Sequence, residues 1–387
     1  MITSCDALIV GAGPAGLATS RELSRAGVQH IVLERGDQIG ETWANLYDNL
    51  VLHTAKRLSA LPGLGFPAST PRFPTRRDFL AYLHHYADTF RVPVETHAEV
   101  ASFHHVDGTW IARTTTGAEV QARAVVVATG IVSNPHIPEI PGRNRFGGRV
   151  LHSVEYRRSE GFKGQRVLVV GAGNSAGEIS AELACAGADV TLAVRTGAIV
   201  VPREIAGIPI QYFGVALASL PRGFQRIAVA MMGRAASLVR GPAVLPLPTA
   251  ANCPNVPLIG FHLADLLRVG TIRLKGGLAE FTTGGVRFAD DSEQPFDVVV
   301  LATGYRAAVG MLRNLIHVDD CGFALRRDRV VSVDQPDLYF VGHNYDIRGG
   351  LFNIGRDGRL AAGWIRSAVL GDRSRTSTGT RPPLSEK

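Results

Sequence analysis

Two stretches about half a chain apart share one layout, and nothing else in the sequence constrains the fold as tightly. The first is Ala7-Leu-Ile-Val-Gly-Ala-Gly-Pro-Ala-Gly16 and the second is Val167-Leu-Val-Val-Gly-Ala-Gly-Asn-Ser-Ala176. In each, a short apolar run ends at glycines and passes into an alanine-rich helical pattern, Leu17 to Ala26 and Gly177 to Ala186. Each pattern stops at a glycine, Gly27 or Gly187, and a new apolar run follows. Strand, turn, helix and strand, twice over, open a doubly wound parallel sheet. The expected fold class is therefore α/β, with two Rossmann-like dinucleotide-binding domains.

A second echo arranges them. Ala124-Val-Val-Val-Ala-Thr-Gly130 and Asp297-Val-Val-Val-Leu-Ala-Thr-Gly304 are continuous apolar runs, as expected of strands buried on both faces. They bracket the second glycine motif, so the simplest arrangement inserts the second domain into the first. The crossings fall near the Pro-rich Asn134 to Pro141 and near Tyr305. Expected boundaries are residues 1–155 and 301–370 for the outer domain and 156–300 for the inserted one. Between Glu95 and Gln121, alternating residues with turns at Asp107-Gly108 and Thr116-Gly117 predict a small antiparallel β meander. Residues 371–387 are polar and contain proline, and are expected to form a disordered tail.

The glycine motifs carry the chemistry. In the first, Gly11 allows the tight turn and Gly13 lets backbone approach a pyrophosphate. Gly16 lets helix and strand pack closely, and Pro14 and Ala15 sit at the helix start where the phosphates would rest. Glu34, 18 residues after Gly16, ends the next apolar run and would accept hydrogen bonds from ribose hydroxyls. In the second motif, Gly171 and Gly173 are kept, but Ala176 replaces the third glycine and the following run ends in Arg195 rather than an acid. An acid there repels a 2′-phosphate, whereas a guanidinium binds it bidentately. That points to NADP(H), with Arg203 as a second candidate for the phosphate. Asn174 and Ser175, at the helix start, can donate to pyrophosphate or ribose. Two such sites in one chain imply electron transfer between two cofactors.

Composition excludes several classes. The formal charge is +7 with only four lysines, and the arginines are scattered without an aromatic-interleaved basic stripe. Nucleic acid is therefore not the expected partner, and phosphate-rich cofactors are the plainer reading. Cys5, Cys185, Cys253 and Cys321 form no C-x-x-C pair, which argues against structural zinc and against a dithiol oxidoreductase. Buried free thiols in a reducing cytoplasm are expected instead. The two longest stretches lacking Asp, Glu, Lys and Arg, residues 205–221 and 241–264, are broken by Gly and Pro, so no integral membrane segment is expected. The region Gly207 to Pro248 is apolar, with Phe213, Phe224, Met231 and Met232. Phe224 to Leu238 reads as an amphipathic helix: a cover over the inserted domain, the lining of a substrate entrance, or a docking face.

Just before the second glycine motif, Phe146-x-Gly148-x-x-x-His152-x-x-x-Tyr156 reproduces the fingerprint of the flavin-containing monooxygenase family. Baeyer–Villiger monooxygenases are similar but carry Trp where Tyr156 stands here. The resemblance narrows towards YUCCA-type indole-3-pyruvate monooxygenases and their bacterial relatives. It rests on Glu34-Arg35, Trp43, Tyr47-Asp-x-Leu-x-Leu-His53, Leu61-Pro62, Phe66-Pro67, Val256-Pro-Leu-Ile and Gly349-Gly-Leu-Phe, and runs from about residue 6 to about 365. Animal-type members have Asn where His53 stands; YUCCA-type members have His.

The resemblance implies FAD in the first domain and NADPH in the second. It places Arg35, Trp43, His53, Val100, Ala128, Thr129, Gly130, Thr303, Gly304 and Gly342 among the cofactor-binding residues, with His53 as the one candidate catalytic side chain. His152 and Tyr156 brace the domain junction or the NADP ribose. Where many FAD proteins have Gly-Asp, this chain has Gly342-His343. The family's chemistry is reduction of FAD by NADPH and reaction with O2 to a C4a-(hydro)peroxyflavin that oxygenates a small-molecule substrate. An aromatic 2-oxo acid undergoing oxidative decarboxylation, or an N or S nucleophile, are the substrates implied. The competing readings are a Baeyer–Villiger enzyme and an NADPH-dependent reductase resembling the flavin disulfide reductases.

Overall fold

The computed structural model describes residues 2–218, 241–248 and 257–375, together with 220, 221, 223, 224, 227 and 231. Two sheets organise them. The first has nine strands. Its main path runs Arg326–Arg327, Val331–Ser332, Leu338–Phe340, Glu119–Val127, Ile2–Val10, His30–Leu33 and Val94–Glu95. Ile2–Val10 pairs in parallel with both His30–Leu33 and Glu119–Val127, and Leu338–Phe340 adds in parallel beyond. The meander is Val100–Val106, Thr109–Thr114 and the start of Glu119–Val127, paired antiparallel. Asp107, Gly108 and Gly117 take positive φ at its turns.

Alternation along Ile2–Val10 sorts its side chains to the two faces. Ala7 and Ile9 pack with Leu17 and Leu23 of the helix Pro14–Arg25 and with Ile365 of the helix Gly350–Arg375. Leu8 and Val10 pack with Phe103, Trp110 and Phe340 on the meander side. Both faces are buried, which is why this run reads as uniformly apolar.

The second sheet is wholly parallel, in the order Arg273–Lys275, Asp189–Ala193, Arg166–Val170, Val298–Leu301, Arg149–His152. Helices Asn174–Cys185 and His262–Arg268 cover one face. A three-stranded antiparallel sheet of Leu278–Phe281, Gly285–Phe288 and Glu293–Pro295 covers the other, placing Phe281, Val286 and Phe288 on Leu168 and Val299. The chain leaves the first sheet at Val127 and rejoins it at Arg326, so the second unit is inserted in the first.

Two connections make the crossing, and they bond to each other. The His136 amide donates to the Gly304 carbonyl (2.9 Å), Arg306 to Asn134 (2.9 Å) and Ala308 to Gly130 (3.0 Å). Pro135 and Tyr305 form an antiparallel bridge. Gly130 and Gly304 take positive φ where each connection turns.

Several expectations change. Arg149–His152 lies in the second sheet, upstream of residue 156, because its pairing partner is Val298–Leu301. Residues 371–375 continue the last helix, which ends at Arg375, instead of beginning a tail. The antiparallel cover at 278–295 has no counterpart in the sequence reading. Among the cysteines, Cys5 is half-buried and Cys185 exposed as free thiols, while Cys321 is disulfide-bonded. Most of the helix expected over 224–238 lies outside the described residues. No helix among the described residues is long and apolar enough to cross a membrane.

Candidate cofactor and active site

The first glycine loop crosses from Ile2–Val10 into Pro14–Arg25. Gly11 has φ +104°, and a Cβ there would lie 2.7 Å from the Ala128 carbonyl oxygen. A Cβ on Gly16 would lie 1.9 Å from the Gly11 carbonyl oxygen, so helix and turn touch through hydrogen alone. Above Gly13 there is nothing within 4 Å. The helix starts at Pro14 with Gly13 as N-cap and no side-chain cap, which leaves first-turn N–H groups facing that open space. Open room over uncapped donors fits a pyrophosphate. Ala15 is buried, and Gly342, at φ +86°, approaches it so closely that a Cβ would sit 3.0 Å from the Ala15 Cβ.

Glu34 is buried and bound to the loop. Its Oε2 accepts from the Ala12 amide (2.7 Å) and its Oε1 from the Gly36 amide (3.0 Å). Each carboxylate oxygen keeps a further lone pair for a ribose hydroxyl. Arg35 is exposed beside it. Val100 is buried in the meander core, two residues beyond Ala98, whose amide donates to the Glu34 carbonyl (2.8 Å). Trp43 stands edge-on to Phe79 at 4.5 Å.

The second loop repeats the geometry. Gly171 has φ +137°, and a Cβ would lie 2.2 Å from the Ala302 carbonyl oxygen, whereas Gly173 again faces open space. The helix Asn174–Cys185 also lacks a side-chain cap. The Asn174 amide is already engaged: its Oδ1 accepts from Ile259 (2.8 Å) and its Nδ2 donates to the Pro257 carbonyl (3.2 Å). Asn174 thus ties the helix start to the 257–259 segment, and Ser175 beside it is half-buried.

Arg195 is exposed at the end of its strand, without an ion pair among the described residues. Burial, then Arg306 and Arg195, hold the His136 imidazole below its usual range, so both guanidinium groups act on this ring. Arg203 lies elsewhere. It stacks at 4.9 Å over Phe73 and acts on His53 and Glu178.

The fingerprint residues build structure along the crossing. Phe146 packs on Phe281 (5.3 Å), and a Cβ on Gly148 would lie 2.5 Å from the Phe146 ring and 2.6 Å from the Asp297 carbonyl oxygen. His152 is buried with its ring edge-on to Tyr305 (5.3 Å), and its Nδ1 accepts from the Val154 amide (3.2 Å). Thr129 donates to the Ala308 carbonyl (2.7 Å) and Thr303 to the His136 carbonyl (2.5 Å), so both Ala-Thr-Gly turns hold the paired crossing. Tyr156 is buried against Tyr47 (6.3 Å) and Phe162 (5.9 Å).

Tyr47 leads to the seam between the units. Its hydroxyl donates to Glu178 Oε2 across it, and Asn49 donates to Glu182 (3.2 Å). His53 Nε2 lies 3.5 Å from Glu178 Oε1. Burial, then Arg203, push the His53 imidazole down to about 4, so it is neutral. Burial pushes the Glu178 carboxyl up to about 7, although the Tyr47 hydroxyl and Arg203 pull the other way. Burial and then Glu178 raise the Tyr47 phenol. Sequence reading placed only His53 here. Glu178 and Glu182 carried a signal, four residues apart on one helix face, but nothing in the sequence says what that face meets.

His343 is buried against Phe323 and Phe340, with neither ring nitrogen bonded among the described residues. Burial, then Arg326, push it down to about 3. Gly342-His343 therefore presents a neutral ring where an acid was the alternative.

Two uncapped helix starts define the class: an oxidoreductase that brings two dinucleotides together, one cradle closed by an acid and the other followed by a guanidinium with no ion pair among the described residues. A family model described as pyridine nucleotide-disulphide oxidoreductase matches residues 8–204. The chain is 36% identical to indole-3-pyruvate monooxygenase YUCCA1 of Oryza sativa subsp. japonica, over 90% of this chain and 86% of that protein. It is 38% identical to a probable indole-3-pyruvate monooxygenase YUCCA1 of Arabidopsis thaliana, over 78% and 76%. A flavin-containing monooxygenase from Stenotrophomonas maltophilia superposes with a TM-score of 0.76 at 24% identity, covering 94% of this chain and 99% of that one. The chain belongs to the flavin monooxygenase family, whose members use FAD and NADPH.

Proposed function

We propose that this protein uses NADPH and O2 to oxygenate a small organic substrate, with an aromatic 2-oxo acid as the substrate class. The observation that carries this is the pair of cradles with opposite electrostatics: Glu34 bound to the first loop, and Arg195 just beyond the strand that follows the second, acting with Arg306 on His136. An acid suits ribose hydroxyls, and unpaired guanidinium groups suit a 2′-phosphate. FAD fits the first cradle and NADPH the second. The 2-oxo acid follows the relatives named as indole-3-pyruvate monooxygenases.

Bound flavin supplies what no side chain can, accepting hydride and passing electrons to dioxygen. The protein's own residues position and enclose. Gly13 and Gly173 admit the two pyrophosphates, Glu34 fixes the first loop, and the paired crossing holds the units in register. The overall balance for a 2-oxo acid is one each of substrate anion, NADPH, O2 and H+ giving the carboxylate shortened by one carbon, CO2, NADP+ and water. We take the inserted unit as residues 142–302, since the second sheet begins at Arg149 and ends at Leu301.

The test is purified protein, loaded with FAD, given NADPH or NADH, O2 and a panel of 2-oxo acids, amines, thioethers, ketones and disulfides. Substrate-stimulated NADPH oxidation matched by a shortened acid in mass spectra supports the proposal. A lactone or ester from a ketone assigns the Baeyer–Villiger reading instead. Disulfide reduction without oxygen uptake assigns the reductase. Protein that takes up no flavin removes the whole proposal.

A further inference from the structure

The seam gathers ionisable groups that the proposed function does not use. The Tyr47 hydroxyl bonds one oxygen of Glu178, and His53 Nε2 faces the other at 3.5 Å. Tyr47 and His53 come from the outer unit and Glu178 from the helix Asn174–Cys185 of the inserted one. The other nitrogen of His53, Nδ1, is buried with no hydrogen-bond partner among the described residues. A buried imidazole nitrogen without a partner is costly, and it calls for an explanation such as a catalytic role or a group that it meets when a ligand binds.

We propose that Glu178 is a positioning residue that sets which nitrogen of His53 carries the proton, and so whether Nδ1 offers a lone pair or an N–H to the group it meets. The step takes up one proton from solvent: as Nδ1 gains it, the Nε2 proton passes to Glu178 Oε1, so the ring is neutral in both forms. With Glu178 ionised, Oε1 accepts from Nε2–H and Nδ1 is left as an acceptor. With Glu178 protonated on Oε1, the carboxyl donates to Nε2 and the ring proton resides on Nδ1, which becomes a donor. The Tyr47 hydroxyl donates to Oε2 in both forms, which keeps the exchangeable proton on the oxygen that faces His53.

The surroundings suit this. His53 is held neutral through the neutral range, so it changes tautomer and not charge. Glu178 is held near 7 by burial. The charged and titratable groups acting on the pair are Tyr47 from the His53 segment, Arg203 from the segment next to Phe73, and Glu182 one turn along the same helix. This deepens the proposed function, because what Nδ1 presents would decide which cofactor or substrate group it can hold. Its first test does not depend on turnover.

The experiment uses the full chain loaded with FAD and carrying 15N-labelled histidine, with His53 signals assigned by their loss in His53→Gln. In the wild type, the Nδ1 and Nε2 shifts should exchange character between pH 5.5 and 8.5, with a midpoint near 7 and no imidazolium signature. Glu178→Gln keeps an acceptor for Tyr47 and a donor for Nε2, so it should hold the Nδ1–H form at every pH. Tyr47→Phe removes a donor from the carboxylate and should move the midpoint up by about one unit. If Glu178→Gln does not fold, the Tyr47→Phe shift decides. A single wild-type tautomer across the range overturns the inference, as does exchange that persists unchanged in Glu178→Gln.

A second readout is peroxide released per NADPH consumed. The wild type should show a step near pH 7, and Glu178→Gln should be flat at the low-pH value. A merely structural role would lower the melting temperature in the variant and leave the step in place. Should no substrate couple to NADPH oxidation, the proposed function fails while the tautomer titration still stands or falls on its own.

Discussion

Arg195 and Arg306 both act on the His136 ring, and neither makes an ion pair among the described residues. Unpaired cations at the end of a Rossmann strand are what a 2′-phosphate requires, and a charge-assisted bond of this kind is worth about 1.5–3 kcal/mol. Arg195→Ala should therefore raise the KM for NADPH by roughly 10- to 100-fold and leave NADH almost unaffected, as steady-state kinetics with both donors would read. Equal losses with the two donors would place the phosphate elsewhere. His343 makes a different statement, about stability. Its ordinary pKa of 6.5 falls to about 3 in the fold. Between those values the unfolded chain binds a proton that the folded chain does not, so stability is lost as pH drops below 6.5 and the loss is complete near 3. The slope is at most about 1.4 kcal/mol per pH unit. His343→Leu should flatten the fall of melting temperature between pH 6.5 and 4.5, and an unchanged slope would show that His343 is not what titrates.

The loop–helix cradles show how two glycines in one motif differ. At Gly11 and Gly171 both backbone angle and space demand glycine, while at Gly13 and Gly173 φ is ordinary and only a ligand would object to a side chain. Gly13→Ala should fold with a melting temperature within a few degrees of wild type in the flavin-free state, yet bind FAD weakly and purify nearly colourless. Gly11→Ala should lose stability outright, by about 1–3 kcal/mol or more. If Gly13→Ala were as unstable as Gly11→Ala and equally yellow, the open space would have no ligand. These elements were legible because glycine, helix start and terminal residue lie close together in sequence. The fingerprint was legible only as a pattern. Its parts act through Phe281, the Asp297 carbonyl and Tyr305, all more than a hundred residues away, and only the fold reveals that Gly148 exists to admit the Phe146 ring. The same distance hid Glu178, whose partners Tyr47 and His53 are on the other unit. The antiparallel cover at 278–295 was missed because its strands are three or four residues long, too short for alternation to stand out.

At the scale of the molecule, nesting was readable because both crossings end in the same Ala-Thr-Gly turn. Its consequence is that the outer sheet should close without the inserted unit. His136 and Gly304 already bond as hairpin neighbours at 2.9 Å, and Thr303 reaches the His136 carbonyl. Replacing residues 137–302 by a two- to four-residue Asn/Gly turn would join them without stretching either strand. The shortened protein should fold and turn yellow with FAD, since the first cradle draws only on residues before 130 and after 338. It should not bleach with NADPH under anaerobic conditions, because the second cradle is gone. Stability should fall, because Tyr47, buried in the core of the inserted unit, would face water at a cost of about 1.5–3 kcal/mol. Tyr47→Ser should therefore be nearly neutral in the shortened chain, where the side chain faces water in folded and unfolded states alike, and destabilising in the full chain. A comparable loss in both chains would mean that the outer unit uses Tyr47 for its own packing, and that the seam is a weaker tie than its hydrogen bonds imply.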